Sequence, residues 1–208
     1  MKVVMVNGSP NANGCTFTGL SIIKEQLARH GVDSEIFQVG REPVRGCIAC
    51  RTCKQPGKEG ICAFDDDMVN AAVKAFEDAD GLILGSAVHF ASATGAATSF
   101  FDRMFYCMNP SKRRLKFGAA IVSCRRGGNS ATFDQLNKYF TISQMPVVSS
   151  CYWNGIHGYK PEDVYADKEG VRIMRTLANN MAYLIKCKRA ANIELPEEEP
   201  AASTNFIR

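Results

Sequence analysis

The sequence predicts an α/β protein, a single parallel β-sheet with helices on both faces. Three observations carry this. Strand-like and helix-like segments alternate five times, the order that right-handed crossovers turn into a parallel sheet. The strand-like segments are short unbroken apolar runs such as VVMV and GLILGS, which marks strands buried on both faces. The loops of unusual composition follow the first, third and fourth strands, at the carboxyl ends where such sheets bind ligands.

Taken in order, Lys2 to Val6 is apolar and β-branched and reads as a buried strand. A glycine-rich loop follows. Thr16 to His30 reads as a helix with Leu20, Ile23 and Leu27 on one face, and Gly31 stops it. Ser34 to Val39 is a second strand. Residues 41–67 are irregular and rich in cysteine, and Asp65-Asp66-Asp67 offers a cap for a helix from Met68 to Glu77. Gly81 to Ser86 is the third strand, and the loop from Ala87 to Thr94 leads to a helix over Gly95 to Met108. Lys116 to Cys124 is the fourth strand. Arg125-Arg126-Gly127-Gly128 then opens a helix over Ser130 to Phe140. The fifth strand is expected over Met145 to Tyr152, before a loop with Trp153, Asn154, Gly155 and His157. Lys168 to Arg189 forms the last helix. The chain thus divides into a domain over 1–190, with a cysteine-rich insertion at 41–67, and an extension over 191–208 containing ELPEEEP.

The chain has 208 residues, 46% hydrophobic and 22% charged, enough for one domain with a sizeable core and too short for two. A formal net charge of +4, with no basic run beside an aromatic stripe, argues against a nucleic-acid partner. The first residues are too short an apolar run for a secretory signal, and no stretch approaches the roughly 20 apolar residues that span a bilayer. The expected location is the cytoplasm, away from membranes. Nine cysteines suit that location as thiols or metal ligands, and the odd number argues against a closed disulfide framework.

The first loop, Gly8-Ser9-Pro10-Asn11-Ala12-Asn13-Gly14-Cys15-Thr16, stands between a strand and a helix. A helix start offers free N–H groups to an anion. Ser9 and Thr16 add hydroxyl donors, Asn11 and Asn13 add amide donors, and the glycines allow close approach of the backbone. The loop lacks the G-x-G-x-x-G of dinucleotide folds. It also departs from G-x-x-x-x-G-K-[ST], because five residues separate its glycines and Cys15 stands where the lysine belongs. A phosphate without further phosphates, or simply a capped turn, remains.

Three segments in order, VVMVNGSPNANGCT, CIACRTCK…GICAFDDDM and GSAVHFASATGAATSFFDRM, resemble the NADPH-dependent FMN reductase family, including its iron–sulfur flavoprotein branch. The resemblance extends through RRGGNSATFDQLN and YWNGIHG and so covers nearly the whole chain. It implies a flavodoxin-like three-layer sandwich whose five parallel strands run in the order 2-1-3-4-5. It also implies FMN as cofactor, NAD(P)H as transient electron donor, a small-molecule electron acceptor such as a flavin or quinone, and a homodimer or homotetramer. The cofactor, not a side chain, carries the chemistry. By the same resemblance Ser9, Asn11, Asn13, Gly14, Cys15 and Thr16 hold the phosphate. Ala87, Val88, His89 and Phe90 edge the isoalloxazine ring, and Ser123, Arg125, Gly127 and Gly128 close the other side. The family often has Pro in place of Ala87, Tyr in place of His89 and a basic residue in place of Asn11. His89 is either a packed loop residue or a donor that tunes the flavin.

Cys47, Cys50 and Cys53 are spaced C-x2-C-x2-C, and Cys62 follows after a flexible QPGKEG segment. Four thiolates so arranged match a 4Fe–4S cluster. A zinc site with four cysteine ligands and a thiol-rich loop without metal are the alternatives. Cys15, Cys107, Cys124, Cys151 and Cys187 read as packing residues. Asp102 and Arg103 read as a structural ion pair or an interface contact. Trp153, Asn154 and His157 read as a packed loop or a wall of the ligand site. The run Lys112, Arg113, Arg114 and Lys116 reads as a solvated face.

Overall fold

Strands β1 (Lys2–Asn7), β2 (Asp33–Gln38), β3 (Gly81–His89), β4 (Ser92–Ala93), β5 (Phe117–Cys124) and β6 (Gly155–His157) alternate with helices in a computed structural model that describes residues 1–200, 202 and 204. The helices are α1 (Cys15–Arg29), α2 (Val69–Glu77), α3 (Gly95–Cys107), α4 (Pro110–Arg113), α5 (Asn129–Thr141), α6 (Asp163–Ala166) and α7 (Lys168–Ala191). The sheet order is β2-β1-β3-β5-β6, with every neighbouring pair parallel. Counting parallel strands alone, this is the expected 2-1-3-4-5 order. The short β4 is added as an antiparallel partner of the end of β3.

Successive residues of each central strand point to opposite faces, which is why their apolar runs are unbroken. Val4, Val6, Leu82, Leu84, Ala120 and Val122 face α2, α3 and α5, where Phe76, Phe100, Phe101, Met104 and Phe140 complete one core layer. Val3, Met5, Ile83, Ala119 and Ile121 face α1 and α7, against Leu20, Ile23, Leu27, Met174, Leu177 and Met181. No helix is long and apolar enough to cross a membrane, among the described residues.

Most element ends follow local chemistry. Gly31, at φ +70°, closes α1 as Val32 N–H returns to Leu27 O at 3.1 Å. The Asp triplet ends one residue ahead of the cap position, which Met68 occupies without a side-chain cap bond, and Asp67 instead accepts from Val69 N–H at 3.0 Å at the start of α2. Asp167 caps α7 by accepting from Gly170 N–H at 2.8 Å. The chain after Ala191 carries no helix or strand among the described residues.

The expected fifth strand is displaced. Over residues 145–152 only Val147 bridges to β5, opposite Gly118, with Gly118 N–H donating to Pro146 O and Val148 N–H to Gly118 O. The chain then bulges outward through Ser149–Trp153 and rejoins as β6. Asn154 makes the return. Its Nδ2 donates to Ala120 O at 3.0 Å and its carbonyl accepts from Val122 N–H at 2.9 Å. A buried side-chain amide takes over pairing that a continuous strand would have supplied.

Candidate active site

The carboxyl ends of β1, β3 and β5 meet at one end of the sheet, where the strand order reverses between β1 and β3. The first loop is fixed there from behind. Gly8 N–H donates to Gly85 O at 2.8 Å, and the Thr94 hydroxyl donates to Gly8 O at 2.6 Å while accepting from Ala97 N–H at 3.1 Å. A methyl on Gly8 would come within 2.6 Å of Ala97 Cβ and 2.9 Å of Gly85 O, so only glycine lets the loop lie this close to α3. Ser9 N–H donates to Asn7 Oδ1 and Asn11 N–H to Ser9 Oγ, which folds the loop into successive turns. The first helical bond of α1 runs from Thr18 N–H to Gly14 O, leaving the N–H groups of Cys15, Thr16 and Phe17 without a helical partner.

The second loop is a hairpin. Val88 pairs with Ala93 and His89 with Ser92, and Phe90 and Ala91 make the turn with φ of +51° and +58°. Two left-handed residues are the signature of a type I′ turn, a conformation that a phenylalanine adopts only under restraint. Gln135 supplies it by accepting from Ser92 Oγ and Ala93 N–H, each at 2.9 Å. Gly128 of the third loop, at φ +86°, abuts Ala91 and Val88 so closely that a methyl would stand 2.8 Å from Ala91 Cα. The second and third loops are therefore locked together.

Between the loops lies an open cleft of about 650 Å³. Of the residues expected there, Ser9, Asn11, Asn13, Gly14, Cys15, Ala87, Val88, His89, Ser123 and Arg125 line it. Thr16, Phe90, Gly127 and Gly128 do not. Thr16 is buried, and its hydroxyl bonds Ser123 Oγ at 2.7 Å, tying the first loop to β5. Phe90 projects fully into solvent, and Gly127 and Gly128 shape the turn behind the wall. Arg41, Cys124, Gly158, Tyr159 and Pro161 also line the cleft, and sequence reasoning missed them. Arg41 reaches it because Gly40, at φ +101°, turns the chain beside Gly8 O and Ser9 O. Arg125 stacks over the Tyr159 ring, 5.3 Å from its centroid.

Among the described residues no Asp or Glu lines the cleft, whereas two arginines do. Burial, assisted by Asp163 and Glu162, pushes the Cys15 thiol above its ordinary value, so it stays protonated at neutral pH and adds no negative charge. A rim of free helix N–H groups, hydroxyls, amides and two guanidinium groups fits a phosphate. Ala87 and Val88 supply an apolar wall for a planar ring.

The cysteine-rich segment forms a second feature. Cys47 and Cys50 are exposed, Cys62 is half-buried and Cys53 is buried. All four line one small cavity of about 20 Å³, together with Phe64, Arg103, Tyr106 and a fifth thiol, Cys107. Burial pushes the Cys107 thiol up to about 12, and its sulfur donates to Met104 O, so it packs as a neutral group. Among the described residues no three Cys, His, Asp or Glu side chains converge closely enough to hold a single metal ion. The four thiols share one cavity without converging on a point, and four sulfurs are a donor set that either an iron–sulfur cluster or a zinc ion could take. Arg103 does not pair with Asp102. It is buried and pairs with Asp67, while Asp102 accepts from the Tyr139 hydroxyl at 2.5 Å.

This fold and cleft define a flavodoxin-like flavoprotein. The chain belongs to the NADPH-dependent FMN reductase family, whose model matches residues 1–159. Two iron–sulfur flavoproteins of Methanocaldococcus jannaschii are each 30% identical to it, one over 89% of this chain and 98% of the relative, the other over 91% and 99%. Among solved structures, a flavone reductase superposes with a TM-score of 0.70 at 15% identity, covering 92% of this chain and 65% of the other. A flavodoxin from the domain Archaea gives 0.60 at 16% identity over 89% and 99%. The cofactor class that follows is FMN, and the reaction class is oxidoreduction.

Proposed function

We propose that the chain takes electrons from NAD(P)H onto FMN held in the cleft and passes them to a flavin, quinone or similar small acceptor, working as a homodimer or homotetramer. The cleft itself carries this reading, being large, open, without a lining carboxylate among the described residues and set at the switch point of the sheet. FMN supplies the hydride and electron chemistry when bound. The chain's residues bind and orient. The N–H groups at the start of α1, with Ser9, Asn11 and Asn13, would hold the phosphate. Ala87, Val88 and His89 would back the ring, with Arg125 opposite. The test is anaerobic mixing of the FMN-loaded protein with NADH and with NADPH. Bleaching of the flavin absorbance is expected, and no bleaching with either donor refutes the reading.

The four thiols on one cavity favour a second reading, an electron-transfer carrier whose Cys47, Cys50, Cys53 and Cys62 hold a 4Fe–4S cluster. The two relatives named as iron–sulfur flavoproteins support it. Iron and sulfide analysis of anaerobically purified protein decides. About four of each per chain are expected, and a flavin spectrum with neither element sinks this reading.

A further inference from the structure

Arg103 is 1% exposed, the largest of the fully buried side chains. A buried guanidinium is tolerated only when its donors are used. Here Nη1 reaches Asp67 and Arg45 O, Nη2 donates to Phe64 O at 3.0 Å, and Nε donates to Cys62 Sγ at 3.4 Å. Its partners therefore sit at both ends of the cysteine-rich segment, two residues before Cys47 and from Cys62 onward. The ion pair with Asp67 and the carbonyl contacts account for the two terminal nitrogens. The bond from Nε to sulfur is separate from these, and it is aimed at one of the four candidate ligands.

Asn70, on α2, grips the same segment from the other side. Its Oδ1 accepts from Cys62 N–H at 2.8 Å, and its Nδ2 donates to Cys62 O and Phe64 O. Cys62 is thus held by backbone and by sulfur. The opposite arm is built differently. Cys47 and Cys50 are exposed, and Ala49 and Arg51 between them and just after sit in left-handed backbone at φ +53° and +61°. Cys62, and not this arm, is therefore the candidate ligand that the surrounding side chains hold in place.

We propose that Arg103 is a positioning residue for the metal centre, fixing Cys62 as its preformed anchor and raising the centre's reduction potential through the N–H···S bond and the adjacent positive charge. This rests on the second reading above. A one-electron reduction of the centre, with the electron delivered from reduced flavin, breaks no bond and moves no proton. It adds one negative charge, which a guanidinium donor to a ligand sulfur stabilises.

The test uses protein purified anaerobically with its cluster and, separately, the same protein freed of metal. Arg103→Lys keeps a cation for Asp67 but loses the Nε donor. The double variant Arg103→Gln/Asp67→Asn removes the buried charges together. In each variant the cluster is expected to be harder to reduce than in the wild type in a dithionite titration with mediators. The expected loss is about tenfold in the equilibrium constant, about 59 mV for one electron, with the flavin couple unmoved. In metal-free protein, hydrogen exchange of residues 61–67 is expected at least tenfold slower than that of 46–51, and Arg103→Lys is expected to narrow that difference while the bonds from Asn70 persist. Full iron content with an unchanged cluster potential in either variant overturns the proposal. If neither variant folds, the wild-type exchange decides, because equal exchange in the two segments removes the preformed anchor. If the wild type holds no iron, the reading beneath the proposal fails, and exchange still reports whether Arg103 anchors Cys62.

Discussion

Thr94→Val removes one hydroxyl and tests whether the first loop is held through the cap of α3. Two bonds are lost. The cap to Ala97 N–H at 3.1 Å is worth about 1 kcal/mol. The bond to Gly8 O at 2.6 Å is buried, and a buried carbonyl left without a donor costs about 1–3 kcal/mol. Valine leaves no cavity, so the sum is roughly 2–4 kcal/mol, which for a chain of this size is a fall in Tm of about 5–15 °C. Urea unfolding of FMN-free protein, followed by far-UV circular dichroism, measures the loss. Thr94→Ser keeps both bonds and serves as the control. Flavin fluorescence quenching then measures affinity, expected to fall at least tenfold, or about 1.4 kcal/mol, because Gly8 begins the loop proposed to hold the phosphate. If Thr94→Val unfolds within about 0.5 kcal/mol of Thr94→Ser, or binds FMN equally well, the loop is not held this way.

Three further outcomes are expected. Gly118→Ala drives a methyl into the Phe140 ring and should destabilise by roughly 1–3 kcal/mol, read as a lower urea midpoint at unchanged slope. In metal-free protein, hydrogen bonds from Thr52 lower the Cys50 thiol, whereas burial raises Cys53 and Cys107. Iodoacetamide should therefore label Cys50 at lower pH than the other two, and Thr52→Ala, which removes the side-chain bond but leaves the backbone one, should narrow that lead. Burial lowers the Lys116 amine to about 8, with Asp80 and Asp78 opposing. Between that value and the ordinary 10.5 the unfolded chain binds more protons, so this group makes stability rise with pH across that window. The wild type should gain stability relative to Lys116→Met from pH 8 to 10.5 in pH-resolved urea titrations, and a flat difference would refute the assignment.

Much of the sheet was readable because burial on both faces leaves an unbroken apolar signature, as in VVMV of β1 and GLILGS of β3. The segment MPVVSSCY carries the same signature and misleads, because composition reports burial and not register. Val148 is buried, yet the segment makes only one bridge to the sheet, and the pairing passes to Gly155–His157, where the sequence shows no apolar run. Asn154 is the reason, and a lone asparagine announces nothing before its partners at Ala120 and Val122 are known. The cleft was legible in its three loops. Arg41 was not, because its arrival depends on the turn at Gly40 against Gly8. Thr16 looked like a donor to a phosphate by position in the loop, and its hydroxyl points instead to Ser123, 107 residues away. The Arg103–Asp67 pair joins two motifs that sequence reading keeps apart, and adjacency alone suggested Asp102 as the partner.

The amide of Asn154 has a consequence for how this chain can change. Because one side chain re-establishes the sheet edge, the chain between Val148 and Asn154 is released from strand register. Lengthening Ser150–Trp153 breaks no ladder bond, and loop closure grows only slowly more costly with length, about 0.6 kcal/mol per doubling. That stretch is a natural port for insertions, a place where this scaffold can acquire new segments while the sheet beside it stays in place.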